Sequence, residues 1–192
     1  MARVDDVIDT LIRERGDMSM FLLVLQGLAE RRALAVPYEP VMVELGVRSG
    51  HSTMALLNAL ERSGRGGLWS IDIEECPDAH TRVRDVGLSH RWHFMRGESD
   101  YREFTREIGP CDVVFVDTSH EYDRTVRELN AWAPLVRLGG HLVLHDTLSN
   151  DPVRLAIDHF LDRSGFQYRL WKRDDIDVGP GLTILTKLIN EK

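Results

Sequence analysis

Apolar positions first recur at helical spacing and then, past residue 40, gather into short runs. Val4, Val7, Ile8, Leu11 and Ile12 fall on one face of a helix, and Phe21, Leu22, Leu25, Leu28 and Ala29 on one face of a second. Gly16-Asp17 marks the break between them. Pro37 and Pro40 bracket a linker, because proline disfavours helix at its own position and at the one before it. Residues 41–47 then read as a buried strand, followed by a glycine-containing turn and a helix over residues 52–61. Further strands are expected at residues 68–73, 92–96 and 111–116. The last of these leads into a helix with Tyr122, Thr125, Val126, Leu129 and Trp132 on one side. Gly139-Gly140 is expected to turn the chain into a fifth strand at residues 141–145. Asp151-Pro152 should open another helix, the acid as N-cap and the proline in its first position, with Val153, Ala156, Ile157, Phe160 and Leu161 facing inward.

Strand–helix alternation implies a parallel sheet covered on both faces. Residues 166–171 and 181–186 depart from it, being two strands joined by a stretch too short for a crossover, so the last strand should run antiparallel. The predicted fold is α/β: a Rossmann-like doubly wound sheet, mostly parallel with an antiparallel C-terminal hairpin, preceded by N-terminal helices. Residues 1–40 form the helical segment and residues 41–192 the α/β part of a single compact domain, in keeping with a length of 192 residues.

The balance of 24 Lys+Arg against 31 Asp+Glu, a net charge of −7, argues against nucleic acid as the main partner, since phosphate binding rests on a basic footprint. Two cysteines, Cys76 and Cys111, make neither a disulfide framework nor a zinc-ligand spacing and read as buried free thiols. The first residues are acidic where a signal peptide is basic, and the early apolar stretch at residues 20–25 is far short of a membrane span. A cytoplasmic protein without a membrane partner is expected.

In open α/β sheets ligands bind beyond the carboxyl ends of the strands. The first such segment is Glu44-Leu-Gly46-Val-Arg48-Ser-Gly50-His-Ser52-Thr53. A helix N-terminus there attracts anions, but a dinucleotide loop needs a glycine where Arg48 stands. That counts against an NAD(P)-dependent Rossmann oxidoreductase, the alternative enzyme class. Glu44 repels phosphate and attracts an ammonium group, so a ligand carrying an amino-acid moiety suits the loop better. Asp72, ending the second strand, either accepts hydrogen bonds from the two hydroxyls of a ribose or is a solvated acid beside Glu74 and Glu75. Ser99, in the turn at residues 97–100, either meets a purine edge or caps a helix. Asp117 and Asp146 follow strands that lie about 4.8 Å apart when adjacent, so they could converge above the sheet. Two such carboxylates repel unless a cation or proton intervenes, and their oxygens suit Mg²⁺ or Ca²⁺. The alternative is one aspartate on the ligand and the other as a helix cap.

From residue 43 to residue 146 the sequence resembles class I S-adenosylmethionine-dependent methyltransferases. More narrowly, it is similar to the small-molecule O-methyltransferases of the catechol and caffeoyl-CoA type and to bacterial relatives acting on antibiotics and sugars. The run Val43-Glu-Leu-Gly-Val-Arg-Ser-Gly-His-Ser52 matches their first motif. Asp117-Thr-Ser-His-Glu-Tyr122, Trp132-Ala-Pro-Leu-Val136, Gly139-Gly140 and His145-Asp-Thr147 follow in the family's order. The resemblance implies a methyltransferase domain over residues 41–192, with S-adenosylmethionine as cofactor and Mg²⁺ as a metal. It implies that the loop with Glu44, Gly46, Gly50 and Ser52 holds the methionine part, Ser52 near its carboxylate. Asp72 would take the ribose, Ser99 the adenine, and Asp117 the vicinity of the sulfonium. Asp117 and Asp146 would be metal ligands; a third ligand, usually Asn, is replaced by Thr147.

His120 stands where the catechol-type enzymes carry a lysine base. A histidine near its ordinary pKa is largely neutral at pH 7 and would accept a hydroxyl proton directly; the other reading is a structural histidine at the helix start. His145 is a second candidate base or metal ligand. The reaction expected is methyl transfer to a hydroxyl of a small molecule, and a non-catalytic nucleoside-ligand module is the alternative outside enzymology. The acceptor pocket would draw on the N-terminal helices, residues 148–152 and the hairpin loop with Arg173, Asp174, Asp175 and Asp177. A second copy of the chain, in a homodimer, would help to close it.

Overall fold

The structure is a computed structural model and describes residues 3–13, 18–19, 21–172 and 180–189. The Gly16-Asp17 break and the charged hairpin residues Arg173, Asp174, Asp175 and Asp177 lie outside the described residues. The chain divides into two compact units, Met1–Glu98 and Ser99–Lys192.

The first unit runs α1 (Val4–Arg13), α2 (Leu22–Ala35), β1 (Val41–Leu45), α3 (His51–Ser63), β2 (Gly67–Asp72), α4 (Pro77–Asp85) and β3 (Trp92–Arg96). Its strands are parallel in the order β3-β2-β1, with Val43 opposite Trp69 and Ser70 opposite Phe94. Every α3 residue from Ser52 to Leu60 is buried, so this helix is enclosed rather than amphipathic. The apolar stripe of α2, with Leu22, Leu25, Leu28 and Ala29, packs against it, and α1 adds Ile8 and Leu11. Burying each leucine contributes about 2 kcal/mol. The N-terminal helices read from the sequence are thus part of this unit's core. Polar links reinforce the packing: Asn58 donates to Asp5 at 3.0 Å and Arg62 to Glu30 at 3.0 Å. Helix α4 buries only Ala79 and Val83, which is why periodicity alone does not announce it.

The second unit runs α5 (Arg102–Ile108), β4 (Cys111–Val116), α6 (Tyr122–Trp132), β5 (Val136–His145), α7 (Asp151–Arg163), β6 (Gln167–Lys172) and β7 (Leu182–Ile189). Its strand order is β4-β5-β7-β6, with β4 parallel to β5 and β7 antiparallel to both its neighbours. The fold is therefore the mostly parallel, Rossmann-like α/β class with an antiparallel C-terminal hairpin. Two local expectations change. Gly139-Gly140 is not a turn before a strand but lies inside β5, where the β4–β5 register shifts between Cys111 and Val113. Gly139 has φ of 73°, and a Cβ on Gly140 would come within 2.6 Å of the Asp112 carbonyl oxygen. At α7 the cap position is Asn150, without a side-chain cap, and Asp151 is the first helical residue.

Two buried charges in this unit have local partners. Lys187 is fully buried and donates to the carbonyls of Ala133 at 2.9 Å, Val136 at 2.8 Å and Pro134 at 3.3 Å. The bond to Ala133 satisfies an acceptor left over where α6 ends, and the other two tie the lysine to the connection into β5. Asp112 is paired with Arg137 at 2.7 Å. Cys76 and Cys111 are free and buried, and burial, with Asp72 and Asp112 respectively beside them, pushes both thiols up to about 12. Among the described residues no helix is long and apolar enough to cross a membrane.

Candidate active site

Each unit carries one set of the residues singled out above. In the first unit the chain leaves β1 through Gly46, with φ of 87°, and enters α3 through Gly50, with φ of 83°. A Cβ on Gly50 would sit 2.8 Å from that of Ala79, so only glycine lets α3 start against α4. Asp72 ties this loop down. One carboxylate oxygen accepts the backbone N–H groups of Val47 at 2.7 Å and Arg48 at 3.1 Å, and the other accepts that of Glu74 at 2.9 Å. Burial alone would raise its pKa, but these N–H groups and the Cys76 thiol outweigh it and hold the carboxyl below its usual range. The side chain remains part-exposed, an ionised acceptor at the mouth of the loop.

Glu44 is arranged differently from the expectation of a carboxylate offered to an ammonium group. It is fully buried, and its oxygens accept the hydroxyls of Ser52 at 2.5 Å, Thr53 at 2.8 Å and Ser70 at 2.6 Å. Ser52 therefore directs its one hydroxyl proton to Glu44. What the segment leaves for a ligand is backbone, because the first N–H groups of a helix have no intrahelical acceptor.

The second set stands at the ends of β4 and β5 and in the loop before α6. Asp117 follows β4, His145 ends β5 and Asp146 follows it. The His120 Nε2 lies 3.0 Å from Asp117 Oδ1 and 2.8 Å from Asp146 Oδ2. The His145 Nδ1 lies 3.5 Å and 3.3 Å from the same two atoms. The two aspartates foreseen as convergent are indeed brought together, and the two candidate bases lie between them. His120 and Asp146 both adopt left-handed backbone, with φ of 58° and 59°. Strain of this kind costs of order 1–3 kcal/mol per residue and clusters at functional sites.

These four groups titrate together. Hydrogen bonds that His120 donates to Asp117 and Asp146 push it up to about 10, against the effect of burial. Burial opposes the same shift in His145, which the two carboxylates nonetheless raise to about 9. Asp117 is held at about 2 and Asp146 lower still, because the imidazoles overcome the desolvation of each. Against the expectation of an ordinary, largely neutral His120 at pH 7, the carboxylates on two sides favour its protonated form.

Ligand atoms of Asp117, His120 and Asp146 all lie within 4.8 Å of one another. Two carboxylate oxygens and an imidazole nitrogen fit a divalent cation, the oxygens suiting Mg²⁺ and the nitrogen extending the choice to ions such as Mn²⁺. Thr147 is not part of this group; its buried hydroxyl accepts from Thr183 at 3.1 Å.

Glu128 escaped the sequence reading. It lies on the apolar side of α6, fully buried, and accepts the hydroxyls of Ser99 and of Thr118, the latter at 3.0 Å. Burial pushes its carboxyl up to about 7. Its only advance signal was its position, one residue before Leu129 on the inward stripe. The remaining six histidines have local partners: His51 meets the Ser49 hydroxyl, His80 the Trp92 and Phe94 rings, His90 the Gly87 carbonyl, His93 the Trp69 ring, His141 the Thr186 hydroxyl and His159 the Tyr122 hydroxyl.

An α/β fold with its polar groups gathered at strand ends is shared by many enzymes, and comparison narrows the class. A family described as a methyltransferase domain matches residues 43–147, more than half of the chain, and the protein belongs to that family. No curated protein matches the sequence. Among solved structures, the O-methyltransferase TomG of Streptomyces achromogenes, involved in tomaymycin synthesis and in complex with SAM, is similar with a TM-score of 0.72 and 19% identity. The alignment covers 98% of this chain and 91% of that one. An O-methyltransferase from Bacillus cereus in complex with SAH gives a TM-score of 0.69 at 16% identity, covering 97% and 90%. An rRNA methylase from Streptococcus thermophilus gives 0.65 at 16% identity, covering 91% and 98%. At these identities the likeness establishes the fold.

Proposed function

We propose that the protein is an S-adenosylmethionine-dependent methyltransferase acting on a hydroxyl of a small molecule. The observation that carries this reading is the group formed by Asp117, His120, His145 and Asp146 at the ends of β4 and β5, within a methyltransferase-family sequence.

When bound, S-adenosylmethionine supplies a methyl group on a sulfonium whose departure leaves a neutral thioether. The chain's contribution is binding, alignment and control of one proton. The loop around Gly46 and Gly50 offers backbone N–H groups to the donor's carboxylate, while Glu44 fixes that loop from beneath through Ser52 and Thr53. Asp72 offers carboxylate oxygen to the ribose hydroxyls, and Ser99 faces the purine. Asp117 and Asp146 maintain a negative site that must hold a positive charge, and His120 provides it in the ligand-free chain. Once deprotonated, His120 Nε2 takes the proton of the acceptor hydroxyl, and His145 buffers the same carboxylates from the other side. A divalent ion, were one held by Asp117 and Asp146 with His120 as a further ligand, would lower the acceptor's pKa in place of the His120 base.

Two features favour a small acceptor over RNA despite the rRNA methylase among the similar folds. The chain carries a net charge of −7, and the proposed proton acceptor lies between two carboxylates, a poor surface for phosphate. A cytoplasmic location and closure by a second copy of the chain belong to the same reading.

The test is thermal stability with S-adenosylmethionine, S-adenosylhomocysteine and NAD(H), each with and without Mg²⁺. A ligand that binds the native state raises the melting temperature. Stabilisation by the two sulfur ligands and none by NAD(H) is expected. Stabilisation by NAD(H) alone would replace this reading with the oxidoreductase one. Binding without turnover on any hydroxyl acceptor would leave a nucleoside-ligand module.

A further inference from the structure

The turn that follows Asp146 is tied down at two places, and the Ser149 side chain takes part in both. Its hydroxyl lies 2.7 Å from Asp146 Oδ1 and 3.4 Å from the Pro180 carbonyl oxygen. A serine has one hydroxyl proton, and it goes to the nearer, charged acceptor. The Asn150 side-chain amide donates to the same hydroxyl at 3.2 Å, so the Ser149 oxygen accepts on one side and donates on the other. The Asn150 backbone N–H closes the turn on the Asp146 carbonyl at 3.0 Å.

The second tie runs to the approach of β7. The Pro180 carbonyl accepts the backbone N–H groups of Leu148 at 2.9 Å and Ser149 at 3.2 Å. Gly181 has φ of 85°, and a Cβ there would come within 2.5 Å of the Leu148 nitrogen. Glycine is what lets the two segments lie this close. The anchor keeps Ser149 within reach of Asp146.

The consequence falls on the carboxylate. The last bond of an aspartate rotates over a broad range, so its two oxygens have no fixed direction of their own. Here Oδ1 is taken by Ser149, which leaves Oδ2 facing His120 Nε2 at 2.8 Å. That nitrogen stands between two groups that only accept, with Asp117 Oδ1 at 3.0 Å, so it carries a hydrogen whether the ring is charged or neutral. Resting on the methyl-transfer reading above, we infer that Ser149 is a positioning residue, fixing the rotation of Asp146 so that one oxygen holds the His120 Nε2 hydrogen.

The experiment follows that hydrogen by NMR of protein isotopically labelled in its histidine rings, at pH 7, the signal being assigned by its loss in His120→Gln. Its exchange with water is compared with that of the backbone amides of β5 in the unmodified chain, Ser149→Ala and Ser149→Thr. In Ser149→Ala the Nε2 hydrogen should exchange roughly fivefold faster, the effect of one lost hydrogen bond, while the β5 amides keep their rates. Ser149→Thr retains the hydroxyl and should restore the slow exchange. An unchanged Nε2 rate in Ser149→Ala would overturn the inference. Equal acceleration of Nε2 and the β5 amides would do so too, since that marks a merely structural turn, as would fast exchange persisting in Ser149→Thr. A hydrogen that exchanges freely in the unmodified chain would overturn it outright. None of these outcomes bears on stabilisation by S-adenosylhomocysteine, whose absence strikes instead at the methyl-transfer reading.

Discussion

His120 Nε2 meets Asp146 Oδ2 at 2.8 Å, and both residues hold left-handed backbone to do so. Neither is a glycine, so each conformation is maintained against its own steric preference by what surrounds it. The contact sets the charge of the site, and the first predictions follow from it.

The proton on His120 should govern the rate. With its pKa raised to about 10, the neutral imidazole is a small fraction at pH 7 and grows roughly tenfold per pH unit. Turnover without added metal should therefore climb through pH 7–9 rather than level off above the ordinary histidine pKa. His120→Ala should lower turnover by about 10²–10⁴ and remove that limb. A pH–rate profile of both proteins, with the acceptor held saturating, checks this; unchanged turnover in the variant would reject the assignment.

Metal uptake should release protons. A cation bound at Asp117 and Asp146 competes with the imidazolium that now sits between them, so affinity should rise with pH. Calorimetry with Mg²⁺ or Mn²⁺ in buffers of different ionisation enthalpy would show the released proton as a buffer-dependent heat. Full activity after treatment with a chelator would eliminate the metal scheme while leaving the His120 prediction standing.

Asp72→Asn should weaken the loop and the donor site together. The amide's oxygen can replace only part of a carboxylate that accepts from Val47, Arg48 and Glu74. A loss of about 1–3 kcal/mol in stability is expected, with weaker binding of S-adenosylhomocysteine. Urea unfolding and calorimetry on one preparation measure both.

Glu128 gives stability an unusual slope. Its folded pKa of about 7 exceeds the ordinary 4.5, so between those values the native state binds more protons than the unfolded one. This group's contribution therefore falls as pH rises from about 4.5 to 7, by on the order of 3 kcal/mol. Glu128→Gln has no such slope, and its stability relative to the unmodified chain should increase between pH 5 and pH 8 in urea melts.

The strands were legible because each is a short apolar run, and the hairpin because the stretch between β6 and β7 is too short for a helix. Helix α5 was silent since it buries no residue, and α4 nearly so, with Ala79 and Val83 alone. Gly139-Gly140 looks like a turn in one dimension, whereas the approach of Gly140 to the Asp112 carbonyl appears only when two strands are side by side. The same limit hid the site's electrostatics. Asp117, His120, His145 and Asp146 could each be named from their places after strands, but the pKa of His120 depends on having carboxylates on two sides. Glu44 and Glu128 are harder still, since a glutamate in a sequence gives no notice that three hydroxyls, or two, will surround it in the interior.

The two free cysteines fall one in each compact unit, Cys76 in the first and Cys111 in the second. With both thiols buried and their pKa values near 12, thiolate is scarce at neutral pH, and an alkylating reagent has to wait for the chain to open. Labelling rates at these two positions then act as a pair of built-in clocks, one per half. Run with and without S-adenosylhomocysteine, they would reveal which half the nucleoside holds shut.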